Sequence, residues 1–377
     1  AACWRGVNFV RQRFNLVAKS DLIQAVVTTT TIIILIYWLK VYAVLLAPIV
    51  GAFFAARYYW KKGRINYRFS FDWLETKRLF KVGITFSSLA LVYWGYQLID
   101  RTTIACFMPL NVLGIYSYAA VYTGLGSIFL RDFGNVLAPV LWTKAGQAQN
   151  RAHIFYDSKR IIIYLALAAA IMIPFLQICF YFLTEFVTRK FIDSVAIFII
   201  LSCNLYMIAL LIVPALILQS SAVNKQSLSL KSYIAGFALN VILNLVAIRM
   251  GYGIKAIALI NVSVQGLVTI VNYYFVRTYI FENKQELGVF IKLTVIPCVL
   301  SVLFSLFHSY LIHQVRSFWL VGAFSIFTQL AVWSCVIFLF YRKYFTRDKI
   351  SKFLKECVNS GAAFINAKLR LGKLKYV

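Results

Sequence analysis

The chain has 377 residues, 62% of them apolar and 14% charged, with a mean hydropathy of +0.78. A soluble domain carries about a quarter of its residues charged and roughly half apolar, so a cytosolic enzyme, a nucleic-acid reader and a disordered regulator are all excluded. The 39 Lys and Arg oppose 12 Asp and Glu, for a net charge of +27, and in a membrane protein the placement of those cations decides what they mean.

A helix crossing ~30 Å of hydrocarbon at ~1.5 Å per residue needs about 20 apolar residues. Ten runs in chain order satisfy this: 22–39, 41–60, 80–98, 112–141, 161–183, 195–219, 233–248, 254–279, 289–307 and 318–341. Pro48, Pro174, Pro214 and Pro297 lie inside runs, and Pro139 near the end of another. Membrane helices tolerate this because neighbouring groups satisfy the freed carbonyls. The runs are too long and continuous for barrel strands. The predicted fold is all-α and integral to the membrane, with about ten transmembrane helices.

Cytoplasmic loops collect Lys and Arg. With the N-terminal stretch inside, 31 of the 39 cations fall on the cytoplasmic side and 7 outside, and the one that remains, Arg131, lies within a run. Both ends are therefore expected in the cytoplasm. Ala1-Ala2-Cys3-Trp4 has neither an initiator Met nor a signal-peptide layout, so the chain is expected to start partway through a longer protein.

Self-comparison suggests a repeat. Leu16-Val17-Ala18-Lys19-Ser20 matches Leu228-Ser229-Leu230-Lys231-Ser232, and residues 51–59 (GAFFAARYY) parallel 266–274 (GLVTIVNYY). The expected organisation follows. Residues 1–60 are the last two helices of a first lobe, 61–79 a basic cytoplasmic loop, and 80–281 a second, six-helix lobe. Residues 282–343 add a helix pair, and 344–377 form a basic amphipathic cytoplasmic tail. Parallel repeats of this kind are a transporter architecture.

The stretch Ile99-Asp100-Arg101-Thr102-Thr103-Ile104, followed by Leu113-Gly114-Ile115-Tyr116-Ser117-Tyr118-Ala119, resembles the start of the second lobe in Wzx-like polysaccharide transporters. Phe80-Lys81-Val82-Gly83-Ile84 is similar to the start of that lobe as well. These are lipid-linked oligosaccharide flippases of the multidrug/oligosaccharidyl-lipid/polysaccharide (MOP) superfamily. The resemblance implies a MOP/MATE-like two-lobe bundle whose first lobe is incomplete here. It implies a transporter, not an enzyme, in the bacterial inner membrane. The transporter would flip a polyprenyl-pyrophosphate-linked oligosaccharide by alternating access, for polysaccharide, O-antigen or lipopolysaccharide assembly. The implied partners are that substrate, membrane lipids and other polysaccharide-assembly proteins, with no nucleic acid and no cofactor. Two rivals stand beside it: a cation-coupled drug antiporter of the same superfamily, and a membrane-embedded glycan polymerase or ligase.

Arg131-Asp132 heads the candidate substrate-binding residues. A charge inside the bilayer is costly and commonly faces a cavity, and a guanidinium can grip a pyrophosphate in bidentate fashion. The alternative is a packing pair. Asn135, four residues on from Arg131, extends the same face. Asp100-Arg101 is either an outer gate or an interfacial pair that snorkels, and Gln97 shares Asp100's face. Asn240 and Asn244 on the seventh helix, with Asn261 and Gln265 on the eighth, read as interhelical glue or cavity lining. The seven Cys form no CxxC and the three His no metal cluster, so no metal is expected. A phosphate-binding glycine loop is also lacking.

Overall fold

The structure, a computed structural model, describes residues 5, 8, 13–63, 72–147, 158–220, 222–281, 283–314, 327–329, 331–337 and 341. The predicted tail and most of the tenth run lie outside them. The described residues are almost wholly helical: α1 (Phe14–Leu39), α2 (Val41–Gly63), α3 (Trp73–Phe107), α4 (Leu110–Gln147), α5 (Ser158–Phe186), α6 (Ser194–Gln219), α7 (Gln226–Arg249), α8 (Ile254–Ile280) and α9 (Lys284–Gln314). Among the described residues these nine are long and apolar enough to cross a membrane, and Phe327–Val336, from the tenth run, is a shorter apolar helix.

The chain divides into two compact units, one containing α1 and α2 and the other running from Lys77 to Val358. In the first unit the turn between α1 and α2 is the single residue Lys40, held at φ +45°. Its N–H donates to the Ile36 carbonyl at 3.0 Å. The two helices then cross closely at Gly51, where a Cβ would collide with Thr28 Oγ1 and the Gln24 carbonyl. Only glycine lets the backbones approach so far.

The second unit departs from the apolar runs at two helix ends. α3 begins at Trp73, seven residues before the run at Phe80, because Asp72 caps it: its Oδ1 accepts from the Leu74 and Glu75 N–H groups at 2.9 and 3.3 Å. At its far end α3 continues to Phe107, past the charged Asp100-Arg101 pair, and only Met108 and Pro109 separate it from α4. The expected outer loop here is therefore mostly helix. Thr102 and Thr103 bond their hydroxyls back to the i−4 carbonyls, which removes their donors from competition with the helix.

α5 and α6 form the middle of this unit, and the main core joins them to α4, α8 and α9 through residues such as Ile162, Ile173, Leu205 and Ile217. Two of the prolines inside helices, Pro214 and Pro297, are met by tyrosines. Pro214 cannot bond back to the Leu210 carbonyl, and Tyr273 of α8 donates to it at 3.0 Å. Pro297 likewise frees the Leu293 carbonyl, which accepts from Tyr341 at 2.5 Å. α7 and α8 cross at Gly236, where a Cβ would lie 2.5 Å from Val268 Cγ2. Gly236→Ala is expected to cost about 1–3 kcal/mol by overpacking. Thermal midpoints of purified protein in detergent check this, since adding Val268→Ala restores the loss only if the collision is its cause.

Candidate functional site

The structure brings the sequence-predicted polar residues together in two tiers of the second unit. The first is built around Asp100, on the face of α3 that also carries Tyr93, Tyr96 and Gln97. Its carboxylate is 2% exposed, so it does not snorkel. Tyr116 Oη donates to Oδ2 at 2.7 Å and Asn244 Nδ2 to Oδ1 at 3.0 Å, and Asn261 Nδ2 makes a short bond to Oδ2. Around this sit further bonds, from Asn204 Nδ2 to Asn261 Oδ1, from Asn244 Nδ2 to Asn240 Oδ1 and from Tyr96 Oη to the Asn261 carbonyl, each 3.0 Å. One carboxylate thus ties α3 to α4, α7 and α8, with α6 attached through Asn204.

All three donors to Asp100 are neutral. Arg101, its neighbour in sequence, has its Nε buried without a hydrogen-bond partner among the described residues. Asp100, Arg101 and Gln97 line a small cavity of about 40 Å³ together with Tyr116, Ser127 and Asn204. Gln97 donates to Tyr93 Oη at 3.3 Å.

The second tier lies nearer the opposite helix ends. Tyr233 there is seven residues into α7 and Gln219 is the last residue of α6, whereas Asn244 is five residues from the other end of α7. Arg131 itself is the twenty-second of the 38 residues of α4. Its Nε donates to the Ser127 carbonyl at 3.3 Å and a terminal nitrogen to Ser127 Oγ at 3.1 Å. The guanidinium carbon lies 5.6 Å from the Tyr93 ring centroid and 5.9 Å from that of Trp94. Arg131, Tyr93, Trp94, Tyr233 and Gln265 line a cavity of about 400 Å³, closed on its apolar side by Leu211 and Ile212 of α6. Ser127 and Ile208 border either or both cavities, so Arg131 and Asp100 share a wall.

Asp132 is exposed and points away from this cavity's lining. The side chain of Asn135 lies outside the described residues. Asn240, Asn244 and Asn261 act as interhelical glue centred on Asp100, and Gln265 faces the Arg131 cavity. Sequence reasoning passed over Tyr116, Asn204 and Ser127 as site residues. Tyr116 carried a usable signal, because it and Asp100 are each eight residues from Met108 at the α3–α4 turn, and antiparallel helices pair such positions. Among the described residues no group of His, Cys, Asp and Glu could hold a metal ion.

The fold and these tiers define a multi-pass helical membrane protein with a polar interior. Residues 8–192 match the family model described as "Polysaccharide biosynthesis protein". Among solved structures, the chain is similar to the lipid II flippase MurJ in its inward closed conformation. The TM-score is 0.61 at 15% identity, with 91% of this chain and 72% of that one covered. No curated protein matches. The chain shares the helical fold of that solved structure, and its residues 8–192 resemble polysaccharide biosynthesis proteins.

Proposed function

We propose that the chain belongs to a transporter that flips a polyprenyl-pyrophosphate-linked oligosaccharide across the bacterial cytoplasmic membrane by alternating access. It would serve polysaccharide or O-antigen export, with both ends of this chain cytoplasmic. One observation carries the reading: a cation, Arg131, is held by Ser127 and two aromatic rings at the wall of a cavity of about 400 Å³ inside an apolar helix bundle. Such a cavity suits part of a polar head whose lipid stays in the bilayer.

The two-lobe organisation is part of this proposal, and helix starts support it. α1 and α7 begin at Phe14 and Gln226, 212 residues apart, and α2 and α8 at Val41 and Ile254, 213 apart. The close crossings correspond too. Gln24 and Gly51 meet in the first pair. Their equivalents by these offsets, Gly236 and Val264, meet in the second. Aligned by helix starts, Gly51 corresponds to Val264 and not to Gly266, with which the sequence pairs it, and the close glycine lies on the other helix of the second pair.

A second reading, the cation-coupled antiporter, is favoured by the caged Asp100 carboxylate, which is the kind of group that could couple transport to an ion. Removing the full-length protein from its cells separates the two. Lipid-linked oligosaccharide building up on the cytoplasmic leaflet supports the flippase, and unchanged glycan with raised drug sensitivity supports the antiporter.

A further inference from the structure

We infer that the Arg131 cavity holds a sugar ring of the substrate head and not its pyrophosphate. This assignment rests on the flippase reading and narrows it. Three features of the cavity point the same way.

The first is charge. A pyrophosphate carries more than one negative charge, and Arg131 is the sole cation lining the cavity among the described residues. Its side-on fork, Nε and one terminal nitrogen, is already committed to Ser127, so a single end-on fork is left to offset that charge.

The second is the remaining wall. Tyr93 stands edge-on to Trp94 and to Tyr233, with ring centroids 6.2 and 5.8 Å apart. Trp94 keeps 57% of its surface exposed. Aromatic surfaces of this kind pack against the C–H faces of a sugar ring, and a neighbouring guanidinium donates to its hydroxyls. The volume, about 400 Å³, lies at the small end of ligand cavities, which run from about 300 to 1,000 Å³. It fits a ring or a short pair of rings and not an entire oligosaccharide.

The third is Gln265. Its side chain is 1% exposed, and neither Nε2 nor Oε1 makes a well-formed hydrogen bond among the described residues, with the Tyr233 hydroxyl as a polar neighbour on the cavity wall. Buried amides are normally satisfied, so this one awaits a ligand that both donates and accepts. A pyrophosphate only accepts and would leave Oε1 facing an anion. A sugar hydroxyl or an N-acetyl group satisfies both ends.

Full-length protein in lipid nanodiscs, titrated with undecaprenyl diphosphate and with undecaprenyl diphosphate bearing one N-acetylhexosamine, tests the assignment. The sugar-bearing lipid is expected to bind about tenfold tighter. Gln265→Leu and Trp94→Phe should each shrink that advantage to less than about threefold, and Gln265→Leu should not lower the thermal midpoint, because the buried amide makes no well-formed hydrogen bond to lose. Equal affinity for the two lipids in the unmodified protein, or an advantage untouched by both variants, overturns the sugar assignment and leaves the flippase reading standing. Binding of neither lipid overturns both.

Discussion

Arg131→Gln is expected to cut glycan export by about tenfold or more while the protein accumulates at its normal level. The glutamine keeps most of the length and can still reach Ser127, so packing around α4 changes little. The charge is lost, together with its contacts to the Tyr93 and Trp94 rings. A hydrogen bond to a charged group contributes about 1.5–3 kcal/mol, and about 1.4 kcal/mol is a factor of ten. Arg131→Lys should recover only part of the loss, since an ammonium cannot span Ser127 and the two rings at once. Surface glycan measured against protein level checks the prediction. Full export from Arg131→Gln cells would remove the residue from substrate handling.

Asp100→Ala is expected to act on stability first and on transport as a consequence. It strips the shared acceptor from Tyr116, Asn244 and Asn261 at once and leaves three donors buried. Neutral interhelical bonds in membrane proteins contribute only ~0.6 kcal/mol on average. Here the acceptor is a carboxylate and the orphaned groups are 7% exposed or less, so a loss of about 3 kcal/mol is expected. Asp100→Asn keeps one carbonyl oxygen and should lose about half as much. Unfolding midpoints of purified protein test both, and equal midpoints for Asp100→Ala and the unmodified chain would show that the cage does not hold α3 in place.

The sequence made part of this readable. Lys40 was legible as an entire turn because apolar residues resume directly after it, and the spans of α5 and α6 because no charge interrupts them. The start of α3 was not, since Lys77, Arg78 and Lys81 give its first turns the composition of a loop while Asp72 caps them as helix. Asp100 looked interfacial for a similar reason. It stands where an apolar run ends beside Arg101, and burial comes from Asn204, Asn244 and Asn261, which are 104 to 161 residues away in the chain. Neutral amides advertise no such convergence. They could be read as glue, yet which carboxylate they hold depends on how four helices meet.

The same limit explains the shift in emphasis from Arg131 to a pair of tiers. A lone cation in an apolar run marks itself. Its depth does not follow from the run's length, because α4 extends from Leu110 to Gln147, beyond both ends of the apolar run 112–141. The family-like segments also gained a physical reason. Their Asp100 and Tyr116 touch across the α3–α4 turn, and Tyr118 stacks on Phe191 at 4.5 Å and bonds Thr188 at 2.6 Å. The resemblance therefore records a packed hairpin together with the connection between α5 and α6.

Transport itself is read from vesicles. The full-length protein is reconstituted into liposomes carrying a polyprenyl-pyrophosphate-linked oligosaccharide, and the fraction reachable by an external glycosidase is followed over time. A flippase exposes the inner-leaflet pool far faster than protein-free vesicles do, and Arg131→Gln slows that exposure by about tenfold. Identical exposure with and without the protein, under either an ion gradient or a membrane potential, would contradict the flippase account.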